Sequence, residues 1–344
     1  MNDMQWNTQM DVSGVQEKGK RGISGSTIKI IAVLAMLIDH TAAAVLVRQL
    51  FANGLREIAA SGIDAQQQWL LDNAMLYFVY TIMRAIGRLG FPIFCFLLVE
   101  GFQRTRNVKK YALRLGLFAL ISEIPFDLAI GGRLPLWGYQ NVYFTLLLGL
   151  LALCAYSFFA KYEQGDTEKD LPGALRMVLI VTSVLTPAAV TFCIDNLYGF
   201  RTVDAMWIFF GILCAVMVVG LLLHGRKGGL RSVQTACADM TALGLLMILA
   251  EFLCTDYSGM GVLTITVMYL FRKRKVLSML TGCIVLILMS VSEVPALFAL
   301  IPVALYNGKR GLKMKYFFYA FYPAHLLLLY IIAVLLGLGS ILIL

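Results

Sequence analysis

Long apolar runs separated by short polar connections set the first constraint on this chain. They fall at 26–47, 74–102, 111–130, 141–160, 174–194, 203–223, 237–254, 258–271, 276–291, 294–306 and 316–341. A helix needs about 20 apolar residues to cross a bilayer, so the pattern predicts an all-α polytopic membrane protein with about 10–11 transmembrane helices. The runs at 258–271, 276–291 and 294–306 are short for a span, which predicts tilted, broken or re-entrant segments. The run at 74–102 contains Gly87, Gly90 and Pro92 and reads as one kinked span, with two shorter helices as the other solution. The polar residues 1–25 read as an N-terminal segment ahead of a single transmembrane domain over 26–344.

Loop charge gives the pattern a direction. Basic residues collect in the N-terminal segment (Lys18, Lys20, Arg21), in the loop with Arg104, Arg106, Lys109 and Lys110, and in the 161–176 loop. They recur around Arg226, Lys227 and Arg231, at Arg272-Lys273-Arg274-Lys275, and around Lys309, Arg310, Lys313 and Lys315. The loops between carry one basic residue or none, apart from the 48–68 loop with Arg48 and Arg56, which suits a short surface helix. Eleven crossings place every strongly basic loop on one side, which predicts a cytoplasmic N-terminus in a multi-pass cell-membrane protein.

Composition removes the competing classes. Of the 344 residues 60% are hydrophobic and only 14% charged, against roughly a quarter charged in soluble domains. The net charge of +9 sits in inter-span loops without interleaved aromatics, so no nucleic-acid partner is expected. Seven cysteines, odd in number and without C-x-x-C spacing, predict neither a disulfide framework nor a metal site. The first apolar run continues past the length of a signal-peptide core and reads as a retained span.

Ionisable groups inside apolar runs are costly and mark function by default. Lys29 and His40 stand eleven residues apart on the opening helix, on one face and roughly 16 Å apart along the axis. That suits a donor whose phosphates stay at the cytoplasmic surface while a long arm carries its reactive group to His40 as general base; a snorkelling lysine and a structural histidine are the blander alternatives. Asp39 adjoins His40 and can orient it or pair with an arginine. Arg84 and Arg88 share a helix face and need an anionic ligand or carboxylates to compensate them; Asp39, Glu123 and Asp127 are the candidate partners. Glu123 and Asp127 flank Pro125, Asn141 opens the next run as a cap or site residue, and His325 follows Pro323 among aromatics. Glu100 reads as a helix-end charge and Asp256-Tyr257 as a turn or cap.

Five stretches carry a family resemblance: Lys29 through His40, the Arg84-Ala-Ile-Gly-Arg-Leu-Gly-Phe-Pro-Ile-Phe run with the Glu100-Gly101 that follows, Leu120 through Asp127, the run from Gln140-Asn141, and Phe321-Tyr-Pro-Ala-His325. Together they resemble the TraX family, multi-pass membrane proteins named for N-terminal acetylation of conjugative pilin. The resemblance implies an architecture similar to the wider transmembrane acyltransferases, which bind acetyl-CoA from the cytoplasm. In those, a basic residue, ten intervening positions and a histidine mark the first core helix, as Lys29 and His40 do here. Their arginine pair usually stands three apart; Arg84 and Arg88 stand four apart.

The sequence therefore predicts an acyltransferase that moves an acetyl group from acetyl-CoA to an amine or hydroxyl acceptor, a peptide or pilin N-terminus among them, within the lipid bilayer. His40, with Asp39, is expected to be catalytic; Lys29, Arg84 and Arg88 to hold the donor; and Glu123, Asp127, Asn141 and His325 to serve the acceptor side. No metal is expected. A transporter or flippase, whose charges line a permeation route, is the rival expectation, and an assembly scaffold the third.

Overall fold

In the computed structural model the described residues are 22–58, 60–163, 173, 177, 181, 203–312 and 315–343. Nearly all of the predicted N-terminal segment and of the span at 174–194 lies outside them. Over the described residues the chain is an all-α polytopic membrane protein without β-strands. Five helices there are long and apolar enough to cross a bilayer: Gly25–Ala52, Ala74–Arg104, Val142–Lys161, Arg231–Phe252 and Tyr316–Leu335.

The first rod begins as α1 (Gly25–Thr41), started by Ser24, whose hydroxyl accepts the Thr27 N–H at 3.3 Å. It passes through a π turn (Ala42–Leu46) and ends as α2 (Val47–Ala52). Arg48, expected in a loop, is instead fully buried in this rod and donates to the carbonyls of Ala44, Leu128, Ala129 and Ile341. Two short helices follow, α3 (Leu55–Ile58) and α4 (Ile63–Asp72), and neither buries a residue. The run at 74–102 is one kinked span, α5 (Ala74–Gly87) and α6 (Gly90–Arg104), broken at Arg88-Leu89. Pro92 occupies the third position of α6, where an N–H would have no intrahelical partner in any case.

Helix α7 (Val108–Phe126) carries Pro125 in its last turn and runs into a second π turn (Asp127–Gly131). Then come α8 (Val142–Glu163) and α9 (Val203–Phe252), the latter being two helices joined at Gly229, whose backbone is not helical. The three short runs are short in the structure too. Helices α10 (Ser258–Leu270) and α11 (Lys275–Met289) are followed by a 3-10 segment (Val291–Ala299) and α12 (Leu300–Ala304). Helix α13 (Lys315–Leu335) closes the bundle.

Helix α1 packs against α5, α6 and α13, and α10 packs against α6, α8, α9 and α11. Ile28, Ala32, Phe96, Leu150, Ile265 and Leu326 form part of one continuous core between them. The connections sort to two ends. At one, Ile23 pairs with Tyr306, Arg104 donates to Gly308 O at 3.0 Å, and Lys275 donates to Tyr306 O. The basic loops around Arg104, Lys275 and Lys309 therefore share an end, as their alternation along the chain predicts. At the other end Gln140 pairs with Thr255, and the tail is tied down through Ile343 N–H to Gly131 O at 3.1 Å.

Candidate active site

His40 occupies the last turn of α1, just before the π turn, and its Nδ1 lies 2.7 Å from Nε2 of buried His325 on α13. The two rings are nearly parallel, 7° apart. His325 Nδ1 in turn lies 2.8 Å from Phe321 O. A carbonyl only accepts, so His325 Nδ1 carries the hydrogen. In the neutral pair His325 Nε2 is then a lone pair that accepts from His40 Nδ1–H, and His40 Nε2 is left as the free base. Pro323 shapes this wall as well. It has no N–H for Tyr319 O, and the Tyr143 hydroxyl donates to that carbonyl at 3.4 Å.

Beside the pair lies a buried polar cluster. Arg84 Nη1 meets Asp39 Oδ2 at 2.7 Å, and Arg88 Nη1 meets Glu293 Oε1 at 2.8 Å. The Tyr139 hydroxyl donates to Asp256 Oδ1 at 2.8 Å, and Tyr257 lies within electrostatic reach of Arg88. These groups lie within electrostatic reach of one another, and Arg84 within reach of His40. The approach of α1 to α5 depends on Gly87, because a Cβ there would run into the Asp39 carboxylate. The loop that supplies Asp256 and Tyr257 is strained: Cys254, Tyr257 and Ser258 all adopt positive φ, of 51°, 61° and 47°. Tyr257 is fixed by stacking on Phe91, with ring centroids 3.7 Å apart.

Of the residues expected at a site, His40, Asp39, Arg84, Arg88 and His325 come together. Glu123, Asp127 and Asn141 do not join them. Glu123 and Asp127 leave the arginines to Asp39 and Glu293. Asn141 is buried, donates to Ala119 O at 2.8 Å and to Glu123 Oε2, and accepts the Tyr143 N–H at 3.1 Å as the opening cap of α8. Asp127 accepts the Leu136 N–H at 2.9 Å and ties down the loop after the second π turn. Glu123 Oε1 and Asp127 Oδ1 are buried without a hydrogen-bond partner among the described residues. Glu100 pairs with Arg104 at 2.6 Å, as a helix-end charge does.

Two cavities flank the pair. One, of ≈ 680 Å³, opens at the basic end. Lys29, Arg104, Arg106, Arg114 and Arg310 line it against the single carboxylate of Glu100, and Nε of Arg114 is buried without a partner. Tyr143 and Tyr319 form its inner wall. Tyr143 touches Tyr322 edge-on at 5.0 Å, and Tyr322 stands 5.8 Å from the His40 ring. The other cavity, of ≈ 430 Å³, opens at the opposite end and includes Ala43 and Val47 of the first rod together with Arg84. His40 lines neither and lies between them along α1. Both volumes fall in the range of small-molecule sites.

Several members escape a reading of the sequence. Glu293 sits between two short apolar runs, where it reads as a loop charge without a visible partner, yet it neutralises Arg88. Asp256-Tyr257 reads as a turn, and only the folded loop brings it to the arginines. Arg114 and Arg310 look like ordinary basic residues near span ends, although the spacing of Arg114 inside the 111–130 run was a signal that could have singled it out.

Comparison with known proteins agrees with this arrangement of motifs. A family model described as TraX protein matches residues 24–161 and 188–333, well over half of the chain. The chain is also similar to a probable fimbrial assembly protein FimC, serogroup H1, of Dichelobacter nodosus, at 26% identity over 315 residues, covering 89% of this chain and 94% of the relative. No solved structure matches.

Proposed function

The chain belongs to the TraX family, and from that premise we propose that it is a membrane-embedded acyltransferase that moves an acetyl group from acetyl-CoA to an amine or hydroxyl acceptor. The observation that carries this reading is the His40–His325 pair, held between a basic cavity and a second cavity at the opposite end of the helices. The basic cavity suits the donor: Lys29, Arg114 and Arg310 offer charge-assisted hydrogen bonds to phosphates, and the unpartnered Arg114 Nε is a donor in want of an acceptor. Its loops carry the Lys and Arg excess of a cytoplasmic face. The arm bearing the thioester would pass Tyr143, Tyr319 and Tyr322 to reach His40.

In the reaction the acceptor nitrogen or oxygen attacks the thioester carbonyl, the new C–N or C–O bond forms, and the C–S bond breaks. His40 Nε2 takes the acceptor's proton and returns it to the leaving sulfur, releasing the free thiol. His325 fixes the His40 tautomer, and Arg84, held by Asp39, faces the oxyanion that develops on the carbonyl. The relative from Dichelobacter nodosus is named for fimbrial assembly, which makes the N-terminus of a pilus subunit the first acceptor to try.

The test is purified protein in lipid nanodiscs with labelled acetyl-CoA and a panel of amines, alcohols and peptides. Thiol release and label transfer that vanish in His40→Ala support the reading. Absence of turnover with every acceptor, in a folded protein, sinks it.

A further inference from the structure

Among the described residues, the cavity of ≈ 430 Å³ is lined by Arg84 and Arg133 and by no carboxylate. Arg84 gives one Nη to Asp39, and its other donors make no hydrogen bond among the described residues. Arg133, on the loop after the second π turn, makes neither a hydrogen bond nor an ion pair among the described residues. Tyr139 also lines the cavity, and its hydroxyl donates to Asp256. Val47, Ile130, Leu136 and Ile343 supply apolar walls. Ala43 and Val47 lie three and seven residues beyond His40, so the cavity opens along the same rod about one turn past the base.

We propose that this cavity is the acceptor subsite and that it takes an acceptor in which a phosphate or carboxylate accompanies the amine or hydroxyl that is acylated. This rests on the acyl-transfer reading and narrows it. Asp39 already neutralises Arg84, so the uncompensated charge among the described lining residues is that of Arg133; it repels a simple ammonium ion, whereas a guanidinium fork matches a phosphate or carboxylate in geometry as well as charge. An acceptor that carries its own anion satisfies Arg133, leaves the spare donors of Arg84 to the oxyanion, and holds its nucleophile on the side of His40. On a peptide acceptor an acidic residue close to the N-terminus fills the same role.

The test uses the full chain in phosphatidylcholine nanodiscs, a bilayer that offers no primary amine. O-phosphoethanolamine and β-alanine are compared with ethanolamine and β-alaninamide, both for equilibrium binding and as acceptors of labelled acetyl. The anionic probe of each pair is expected to bind at least about tenfold more tightly, the size of one charge-assisted hydrogen bond. Arg133→Gln removes most of that preference, and Arg133→Lys, which keeps the charge but loses the fork, retains part of it. Arg133 is exposed on a loop, so both variants should fold. Equal binding of the charged and neutral probes, or an unchanged preference in Arg133→Gln, overturns the proposal while leaving acyl transfer standing. Binding that depends on Arg133 with no acetyl transfer to any probe overturns the acyl-transfer reading and the acceptor role with it. Supplementing the nanodiscs with phosphatidylethanolamine separates the sources: competition with O-phosphoethanolamine identifies a lipid headgroup, and its absence a soluble acceptor.

Discussion

Replacing His325 by leucine removes the only acceptor seen for His40 Nδ1–H, and it does so at a contact of 2.7 Å. Its effect on rate follows from the two states of the base. With neutral His40 the lost hydrogen bond is an ordinary one; as the acceptor's proton arrives, the same bond becomes charge-assisted, with a value of about 1.5–3 kcal/mol. An ordinary bond is worth about 0.5–1.5 kcal/mol, so the difference lost is about 1–1.5 kcal/mol; at about 1.4 kcal/mol per decade, His325→Leu should lower the rate of acetyl transfer by about 5- to 13-fold. His40→Ala, which removes the base itself, should lower it by about 10²- to 10⁴-fold. His325→Gln provides the control, because a side-chain carbonyl can still accept from His40 Nδ1–H and should recover most of the loss. The assay is single-turnover release of thiol from acetyl-CoA in nanodiscs, with the ¹⁵N shifts of the His40 ring reporting its tautomer independently of rate. A His325→Leu protein that folds and turns over within about twofold of the parent refutes the dyad, as does a glutamine variant no better than leucine.

Three further substitutions probe the surroundings. Gly87→Ala drives a Cβ into Asp39 and should displace it from Arg84, destabilising the fold by about 1–3 kcal/mol and lowering turnover; Gly116→Ala, which meets only a Leu147 methyl at 3.6 Å, is the neutral control in the same thiol-release and thermal-unfolding assays. Glu293→Gln leaves Arg88 buried without its counter-charge and should cost about 3–5 kcal/mol by thermal unfolding in detergent, while the double variant Arg88→Met, Glu293→Met recovers stability but not activity. Arg48→Met abandons four carbonyls at once and should destabilise by at least about 3 kcal/mol without changing the affinity for acetyl-CoA, measured by unfolding and by equilibrium binding.

The elements of the site that were legible in the sequence are those whose signal is local. Hydrophobic run length gave the helical class and the five described helices long and apolar enough to cross a bilayer, out of about 10–11 expected, and helical periodicity put Lys29 and His40 on one face. The kink after Gly87 follows from glycine and proline alone. What was not legible depends on which helix lies against which. Arg84 had three candidate carboxylates in sequence, and only the packing of α5 on α1 selects Asp39. Arg88 had no candidate at Glu293, 205 positions away, because a carboxylate at the edge of a short apolar run looks like a loop charge. Glu123 and Asp127 were a pair by spacing, yet neither pairs with an arginine: one oxygen of Glu123 takes Asn141 and one of Asp127 takes the Leu136 N–H, while Glu123 Oε1 and Asp127 Oδ1 stay buried without a hydrogen-bond partner among the described residues.

The polar residues of this bundle cluster where its helices depart from regular geometry, and the two facts have one cause. A π turn or proline leaves backbone carbonyls without their usual N–H, and in a bilayer no water replaces it. Arg48 answers this at both π turns, donating to Ala44 in the first and to Leu128 and Ala129 in the second, which explains how a buried arginine persists with carbonyls rather than a carboxylate around it. Tyr143 answers it at Pro323. The breaks are therefore held open by dedicated donors, and two of the three lie beside the pair: the first π turn begins two residues after His40, and Pro323 precedes His325 by two. Regular helices would have presented His40 to a packed neighbour. The interrupted ones leave it between two cavities, with a partner that fixes its proton and an arginine set against its own aspartate.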